Sequence, residues 1–342
     1  MRLLVLGGTR FLGRAIVDEA LGRGHDVTTF TRGRSGHARP GVQALHGDRT
    51  VPAELWPLSQ QEWDAVIDTS VLAPSHVAAG LRALQGRVGH YTYVSTLSVY
   101  EDLGREPVNE DSTVLACPSD ATGTMETLGY GELKAGSERA VMAAMPGHSL
   151  IVRPGVIVGP HENIGRLPWW LCRLAQGGEV VAPGAPERPA PVTDARDLAV
   201  WLVDNTRRGI PGAVNVPGPQ TATMGGLLAA CAEATSADRA TGLELHWVSD
   251  ADLEAAGVEP WTELPLWIPD NLEWAGLWQV SGDRALRTGL HYRPITDTAH
   301  DTWQWLKQEA SATGRPVTEF QRMPGLGLDP GRERNVLERV TS

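Results

Sequence analysis

The strand-length apolar run Leu3-Leu4-Val5-Leu6 passes directly into Gly7-Gly8-Thr9-Arg10-Phe11-Leu12-Gly13, and helical spacing follows over Phe11–Leu21. No other stretch narrows the possible folds as far. In a βα turn built for a dinucleotide, one glycine makes the tight bend and one lets backbone N–H groups approach the pyrophosphate. A third lets the helix pack closely on the strand. Gly7 and Gly13 hold the outer positions six residues apart, and Arg10 stands where the middle glycine usually lies. An arginine cannot share that space, so its side chain is expected to swing outward, toward an adenosine ribose. A glycine pattern acquires meaning from its setting between a strand and an amphipathic helix, and that setting is present here.

The next hundred residues repeat the alternation. Val27–Phe30, Val42–Leu45, Ala65–Ile67 and Tyr91–Val94 are strand-length, while His76–Leu84 has helical spacing. A further strand, Ser149–Val152, follows the helix expected at Gly131–Ala144. Strands separated by helix-sized gaps predict parallel βαβ units with right-handed crossovers. The fold class is therefore α/β: a Rossmann-type doubly wound parallel sheet with a smaller, interleaved C-terminal substrate domain. The sheet domain is expected over residues 1–158, taking in about 190–217, where Pro191–Leu202 reads as helix and Ala213–Val216 as strand. The second domain is expected over 159–310. A tail over 311–342 follows, with Asp329-Pro330 capping a short last helix through Glu338.

Charge and cysteine usage exclude several functions. The chain has 30 basic against 41 acidic side chains, a net charge of -11, which argues against nucleic acid as a partner. The same balance weakens an anionic membrane surface, and no run approaches the ~18 apolar residues of a membrane span. Three distant cysteines, Cys117, Cys172 and Cys231, form neither a disulfide framework nor a metal motif. No metal is expected, and a reducing, cytoplasmic setting is.

The second strand ends Thr29-Phe30-Thr31-Arg32-Gly33-Arg34. An NAD site usually places a carboxylate here for the ribose 2′-hydroxyl, whereas Arg10, Arg32 and Arg34 would suit a 2′-phosphate. NADP(H) is the expected cofactor, with NAD(H) the alternative. Asp48 is a candidate for the adenine amino group, and Asp68-Thr69-Ser70 for the cofactor ribose.

Only Lys134 and Lys307 among the 30 basic residues are lysine. Tyr130 and Lys134 lie four apart at a helix start and so share a face. A lysine ammonium near a phenol stabilises phenolate and makes tyrosine a usable acid or base. The ammonium can also hold ribose hydroxyls.

These motifs, with Tyr93-Val-Ser95-Thr96-Leu-Ser98-Val99-Tyr100, Arg153-Pro154-Gly155, Gly159-Pro160 and Val192-Thr-Asp194-Ala-Arg196-Asp197, resemble the extended short-chain dehydrogenase/reductase superfamily. The resemblance is to its NAD(P)-dependent epimerase/dehydratase branch, covers residues 1–310, and extends to an atypical subgroup opening Gly-Gly-Thr-Arg-Phe. It implies a catalytic triad of Thr96, Tyr130 and Lys134. It implies cofactor contacts from Gly7, Thr9, Arg10, Phe11, Leu12 and Gly13, then Arg32, Asp48, Thr69, Ser70 and Ser95, then Lys134, Pro154 and Val156. Sugar-nucleotide dehydratases carry Asp-Glu after the catalytic threonine. This chain has Leu97-Ser98, so dehydration is not expected. Thr96 and Tyr130 are farther apart than is common in the branch, and the extra residues, about 117–129, could form a lid.

Ten of the twelve tryptophans follow residue 160, among them Trp169, Trp170, Trp261, Trp267, Trp274 and Trp278. Packing accounts for most of these. Ser98, Arg166, Trp169 and Trp170 are the substrate-side candidates, and Arg166 and Arg188 could meet a carboxylate or phosphate. The function expected is an NADP(H)-dependent carbonyl reductase acting on a small-molecule substrate, aromatic or sugar-like. The alternative is an epimerase that retains NAD and acts on a sugar or sugar nucleotide. A non-catalytic or RNA-binding relative is the remaining reading, opposed by the intact triad and the charge. Resemblance further implies a homodimer pairing through His76–Leu84 and Gly131–Ala144.

Overall fold

The computed structural model describes residues 1–342 apart from 35, 37–38, 105–107, 240, 271–274 and 342. Trp274 therefore lies outside the described residues. The chain divides into two units: Met1–Ile157 with Ala195–Gly218 and Gln279–His291, and Val158–Asp194 with Pro219–Trp278 and Tyr292–Ser342.

The first unit is built on a seven-stranded parallel sheet. Its strands are β1 (Arg2–Leu6), β2 (Asp26–Thr31), β3 (Gln43–His46), β4 (Trp63–Asp68), β5 (Val88–Val94) and β6 (Ser149–Pro154), with Gly212–Val216 on the outer edge. The order is Gly212–Val216, β6, β5, β4, β1, β2, β3. Leu3 to Leu6 are at most 1% exposed, as a strand covered by helices on both faces must be. Helix α1 (Phe11–Gly22) buries Leu12, Ile16, Val17 and Ala20 along one stripe. Each large apolar side chain so buried stabilises the fold by about 1.5–3 kcal/mol. Helices α2 (Pro74–Ala83), α3 (Met125–Leu128) and α4 (Tyr130–Ala144) complete the part of the unit that concerns the site.

Register decides where function can sit. Leu6 pairs with Phe30 on one side and Asp68 on the other, and Asp68 in turn pairs with Tyr93. The carboxyl ends of β1, β2, β4 and β5 thus form one edge, and the order reverses between β1 and β4. Ligands of open α/β sheets bind at such a reversal.

Several spans differ from the sequence reading. The stretch read as one helix over Pro191–Leu202 is a short strand, Val192–Asp194, followed by a helix, Ala195–Arg208. The β-branched Val192-Thr193 pair favours extended backbone, and helix formers begin only at Ala195. The sequence places the segment 279–291 in the substrate domain. It returns to the first unit, where its helix Asp283–Arg287 packs on the edge strand Gly212–Val216. The tail clusters with the second unit rather than standing apart, and its helix runs Pro330–Thr341. Asp329 Oδ1 caps it, accepting from the N–H groups of Gly331 (2.8 Å) and Arg332 (3.3 Å).

The second unit holds the strand Gly178–Pro183 parallel to Leu243–Val248, and the helices Arg166–Gln176, Met224–Ala234 and Ile295–Thr313. Its tryptophans pack on one another: Trp169 and Trp170 meet edge to face at 4.6 Å, and Trp261 lies 6.0 Å from Trp278. No helix among the described residues is long and apolar enough to cross a membrane.

Candidate active site

The glycine turn stands at the carboxyl end of β1. Gly7 has φ +117, a conformation open to glycine, and its N–H donates to the Phe30 carbonyl at 3.1 Å. A Cβ on Gly7 would come within 2.5 Å of Thr69 Oγ1, and one on Gly13 within 2.7 Å of the Gly8 nitrogen. The turn is therefore pressed against the end of β4 and leaves its backbone N–H groups at the start of α1. That cradle fits a dinucleotide pyrophosphate. Arg10 is extended (φ -133, ψ 149) and exposed, so its side chain leaves the turn as its size requires. Thr9 and Phe11 are partly exposed and Leu12 is buried. Thr69 Oγ1 donates to the Leu6 carbonyl at 3.1 Å, tying β4 to the turn.

Arg32 and Arg34 are exposed beyond β2. Asp48 accepts from the Thr50 N–H (3.0 Å) and hydroxyl (2.7 Å). Those two hydrogen bonds hold its carboxyl below the usual range, and the charges of Arg32 and Arg34 add to the effect.

Thr96 follows β5, 7% exposed, and its Oγ1 accepts from the Ser98 N–H at 3.2 Å. It also lies 3.3 Å from Ser98 Oγ, so the triad threonine and the substrate-side serine are neighbours. Tyr130 opens α4, 37% exposed. A Cβ at Gly131 would overlap the Ser98 carbonyl oxygen, so glycine there lets the helix start close on the Thr96–Ser98 turn. The start of α4, which carries Tyr130, is thus packed on the turn that carries Thr96. Ser95 is buried, while Pro154 ends β6 and Val156 lies just beyond it, 5% exposed.

Lys134, one turn below Tyr130, is 2% exposed. Its Nζ donates to the Ser70 carbonyl (2.8 Å) and the Val94 carbonyl (2.6 Å), and lies 4.7 Å above the centre of the Tyr93 ring. Burial brings its pKa down to about 8, against the pull of Asp68 and Glu138, while the Arg49 charge lowers it further. An arginine could neither fit these two carbonyls as a point donor nor lose its proton.

Two buried ion pairs flank this lysine. Arg49 Nη1 donates to Asp68 Oδ1 at 2.9 Å, the two side chains 7% and 0% exposed. Arg153 holds Glu138 through both nitrogens, Nε at 3.0 Å and Nη2 at 2.7 Å. Arg153 Nη1 also donates to the Tyr100 hydroxyl, which donates to Asn215 Oδ1 (2.8 and 2.7 Å). In the sequence, Arg153 stands out only as part of a motif and Asp68 only as a candidate for the cofactor ribose, while Arg49 and Glu138 do not stand out. A signal for Glu138 existed, since it lies four residues after Lys134 on the same helix face. For Arg49 none existed short of the strand register.

The substrate-side candidates fall in both units. Ser98 sits beside Thr96. In the second unit, Arg166 begins a helix, its N–H donating to Glu162 Oε1 at 2.7 Å and its guanidinium 4.9 Å from the Trp261 ring centre. Glu162 is 1% exposed, and burial raises its pKa to about 7. Trp169 and Trp170 are buried, and Trp170 Nε1 donates to the Pro265 carbonyl at 2.8 Å. They serve as core and do not offer an exposed aromatic wall. Arg188 is already engaged by Asp250 (2.7 Å), Asp270 (3.0 Å) and the Ile268 carbonyl (2.6 Å). In the loop over about 117–129, the candidate lid, Ala121 accepts from the Ser75 N–H and Cys117 from Arg139 of α4, which also donates to the carbonyls of Val114 and Leu115 just before it. Residues 114–121 are thus tied to α2 and α4.

A glycine-turned parallel sheet with a Tyr-x-x-x-Lys helix at its carboxyl edge defines a Rossmann-type protein of the short-chain dehydrogenase/reductase architecture. The chain belongs to the NAD dependent epimerase/dehydratase family, whose profile matches residues 3–216. It is similar to the chloroplast stem-loop binding protein of 41 kDa b of Arabidopsis thaliana, 26% identical over 253 residues, 68% of this chain and 63% of that one. The matched region is thus less than two thirds of that relative's length. Among solved structures it resembles the Bordetella bronchiseptica enzyme WbmH in complex with NAD+, with TM-score 0.67, 17% identity and coverage of 90% and 98% of the two chains. It also resembles the UDP-glucose 4-epimerase of Thermotoga maritima with UDP-glucose (TM-score 0.66, 15% identity, 90% and 99% covered). The dTDP-glucose 4,6-dehydratase of Bacillus anthracis in complex with NAD is a third (TM-score 0.64, 14%, 91% and 98%). At these identities the likeness is one of fold.

Proposed function

We propose that the chain is an NAD-retaining epimerase: it removes a hydride from a hydroxyl-bearing carbon of a sugar-like small molecule and returns it to the other face. The observation that carries this reading is the buried Lys134 ammonium on two backbone carbonyls, those of Ser70 and Val94, one helical turn after Tyr130. Gly7, Thr9, Phe11, Leu12 and Gly13 would hold the pyrophosphate, with Arg10, Arg32 and Asp48 toward the adenosine. Thr69, Ser70, Ser95, Lys134, Pro154 and Val156 would lie toward the nicotinamide end, where that ring, when bound, supplies the hydride acceptor and donor. Tyr130 takes the hydroxyl proton as the carbon is oxidised and gives it back on reduction. Thr96 and Ser98 donate to the same oxygen. Lys134 stabilises the phenolate electrostatically, which is worth about 10²–10⁴ in rate for a positioned acid or base.

The family membership supports epimerase over carbonyl reductase, and Leu97-Ser98 in place of two acidic residues speaks against dehydration. The cofactor question turns on the same residues that favoured NADP(H). Arg32 and Arg34 already act on the Asp48 carboxylate, so their charge is partly answered before any phosphate arrives. That supports NAD. The reductase reading rests on Arg10, Arg32, Arg34 and the absence of a carboxylate directly after Thr31. Releasing the nucleotide from protein purified without added cofactor separates the two: about one NAD per chain supports the epimerase, and freely exchanging NADP supports the reductase. A homodimer remains part of the proposal. Pairing through α2 and α4 would have to accommodate the 114–121 segment, and light scattering measures the mass.

A further inference from the structure

Arg49 stands at the end of the Gly47-Asp48-Arg49 turn after β3 and is buried against the end of β4. Its Nη1 donates to Asp68 Oδ1 (2.9 Å) and to Ser70 Oγ (2.8 Å). Asp68 also accepts from the Ser70 N–H (2.9 Å), the Ser70 hydroxyl (2.6 Å) and the Tyr91 hydroxyl (2.7 Å). Ser70 is therefore clamped through its N–H and hydroxyl, and its remaining backbone group, the carbonyl, receives the Lys134 ammonium at 2.8 Å. The path from Arg49 to Lys134 is thus short, buried at both ends and partly buried at Ser70, with a hydrogen bond on each side of that residue.

Stability alone does not account for this arrangement. Arg49 Nε and Nη2 find no hydrogen-bond partner among the described residues, although both are buried. Helix α2 comes so close that a Cβ on Gly80 would lie 3.1 Å from Nη2. A buried ion pair gains little over apolar packing even when fully bonded, and orphaned N–H groups make it costlier. A lysine site that must hold its cation in one place, at an intermediate proton affinity, gives the pair a reason to exist.

We propose that Arg49 is a positioning residue for Lys134: through Asp68 and Ser70 it fixes the carbonyl that holds the ammonium, and its charge offsets that of Asp68. The consequence for catalysis rests on the reading of Lys134 given above; the coupling itself does not. The charged and titratable groups around the ammonium are Asp68 and Arg49, Tyr91 and Tyr93 of β5, and Tyr130 and Glu138 of α4, the last matched by Arg153. The signs follow from Coulomb's law. Removing the Arg49 charge leaves Asp68 ionised, because Ser70 and Tyr91 still donate to it, and Lys134 then holds its proton more tightly. Removing the Asp68 charge leaves the guanidinium and weakens the lysine's hold on its proton.

With two lysines in the chain, protein carrying ¹³C at lysine Cε gives two signals, and their shifts report protonation directly. Lys307, 38% exposed and paired with Asp238 at 3.1 Å, is the internal reference. Wild-type Lys134 is expected to titrate at about 8. Arg49→Met is expected to raise that value by about one unit or more, and Asp68→Asn to lower it by a similar amount. Arg49→Lys is expected to restore the wild-type value. If the pair were only structural, both disruptive variants would loosen the site and move Lys134 the same way, toward the solvent value. That result overturns the proposal, as does an unmoved lysine or an Arg49→Lys protein that titrates like Arg49→Met. Should Arg49→Met fail to fold, Asp68→Asn and Arg49→Lys still decide. No nucleotide or substrate is added, so failure of the epimerase reading leaves these titrations unchanged.

Discussion

The two units bury different things. In the first, the polar burial clusters at one end of the sheet: Arg49, Asp68, Ser95, Thr96, Lys134, Glu138 and Arg153 are each at most 7% exposed. In the second, the largest buried side chains are tryptophans, with Trp170, Trp267 and Trp303 at most 2% exposed, and the buried carboxylates Glu162 and Glu333 are engaged by backbone N–H groups and, for Glu333, by Arg173. Burying charge is expensive, and a fold retains it where the charge has work to do. Burying indole is favourable anywhere a core needs filling. The contrast supports the proposal that chemistry belongs to the first unit, and it gives Trp170, Trp267 and Trp303 a packing role in the second.

The contrast can be broken by substitution, and the largest effects belong to the buried groups. Trp170→Ala in the second unit should cost about 3–5 kcal/mol in denaturant unfolding while leaving NAD affinity unchanged. A loss of nucleotide or substrate binding without destabilisation would return Trp170 to the substrate side. Arg153→Met strands the Glu138 carboxylate and should cost a comparable ~3–5 kcal/mol.

Acid and base sharpen the comparison further. Glu162, in the second unit, has its folded pKa raised by burial from 4.5 to about 7. The stability linked to its proton is complete below 4.5 and lost as pH rises through 7, about 1–3 kcal/mol in all. His90, in the first unit, is lowered by burial from 6.5 to about 4, so its contribution is lost as pH falls through that window. Unfolding free energies across pH 4–8 should flatten in opposite senses for Glu162→Gln and His90→Gln. The smallest effect is expected at the surface: Arg2→Ala removes a half-exposed pair with Asp64 (3.3 Å) and should change stability by about 0–1 kcal/mol.

What the sequence made legible was local. Leu3–Leu6 with its glycines, and Tyr130 with Lys134, carry their meaning within a few residues, because one turn or one helix face fixes the geometry. Asp329-Pro330 marked a helix start for the same reason. Arg49 was not legible, since its partner Asp68 lies 19 residues away, at the end of a strand that β1 and β2 separate from β3 in the sheet. Residues 279–291 carry no periodicity to show that they return to the edge strand after sixty residues spent in the other unit. The tryptophans were ambiguous, because composition does not tell core from wall. The arginines after β2 allow two readings, because the Asp48 carboxylate shares their charge.

In the proposed epimerase reaction Tyr130, Lys134 and Thr96 move a proton while a hydride leaves and returns. Its most direct test is a single-turnover assay of NAD-loaded protein with free hexoses and UDP-hexoses, following the absorbance of reduced nicotinamide and the stereochemistry of the recovered sugar. The wild type should show transient reduction and an epimerised product with at least one of them. Tyr130→Phe, folded alike, should be slower by about 10²–10⁴. Equal rates in the two proteins, or stoichiometric oxidation of NADPH with no epimer formed, would contradict it.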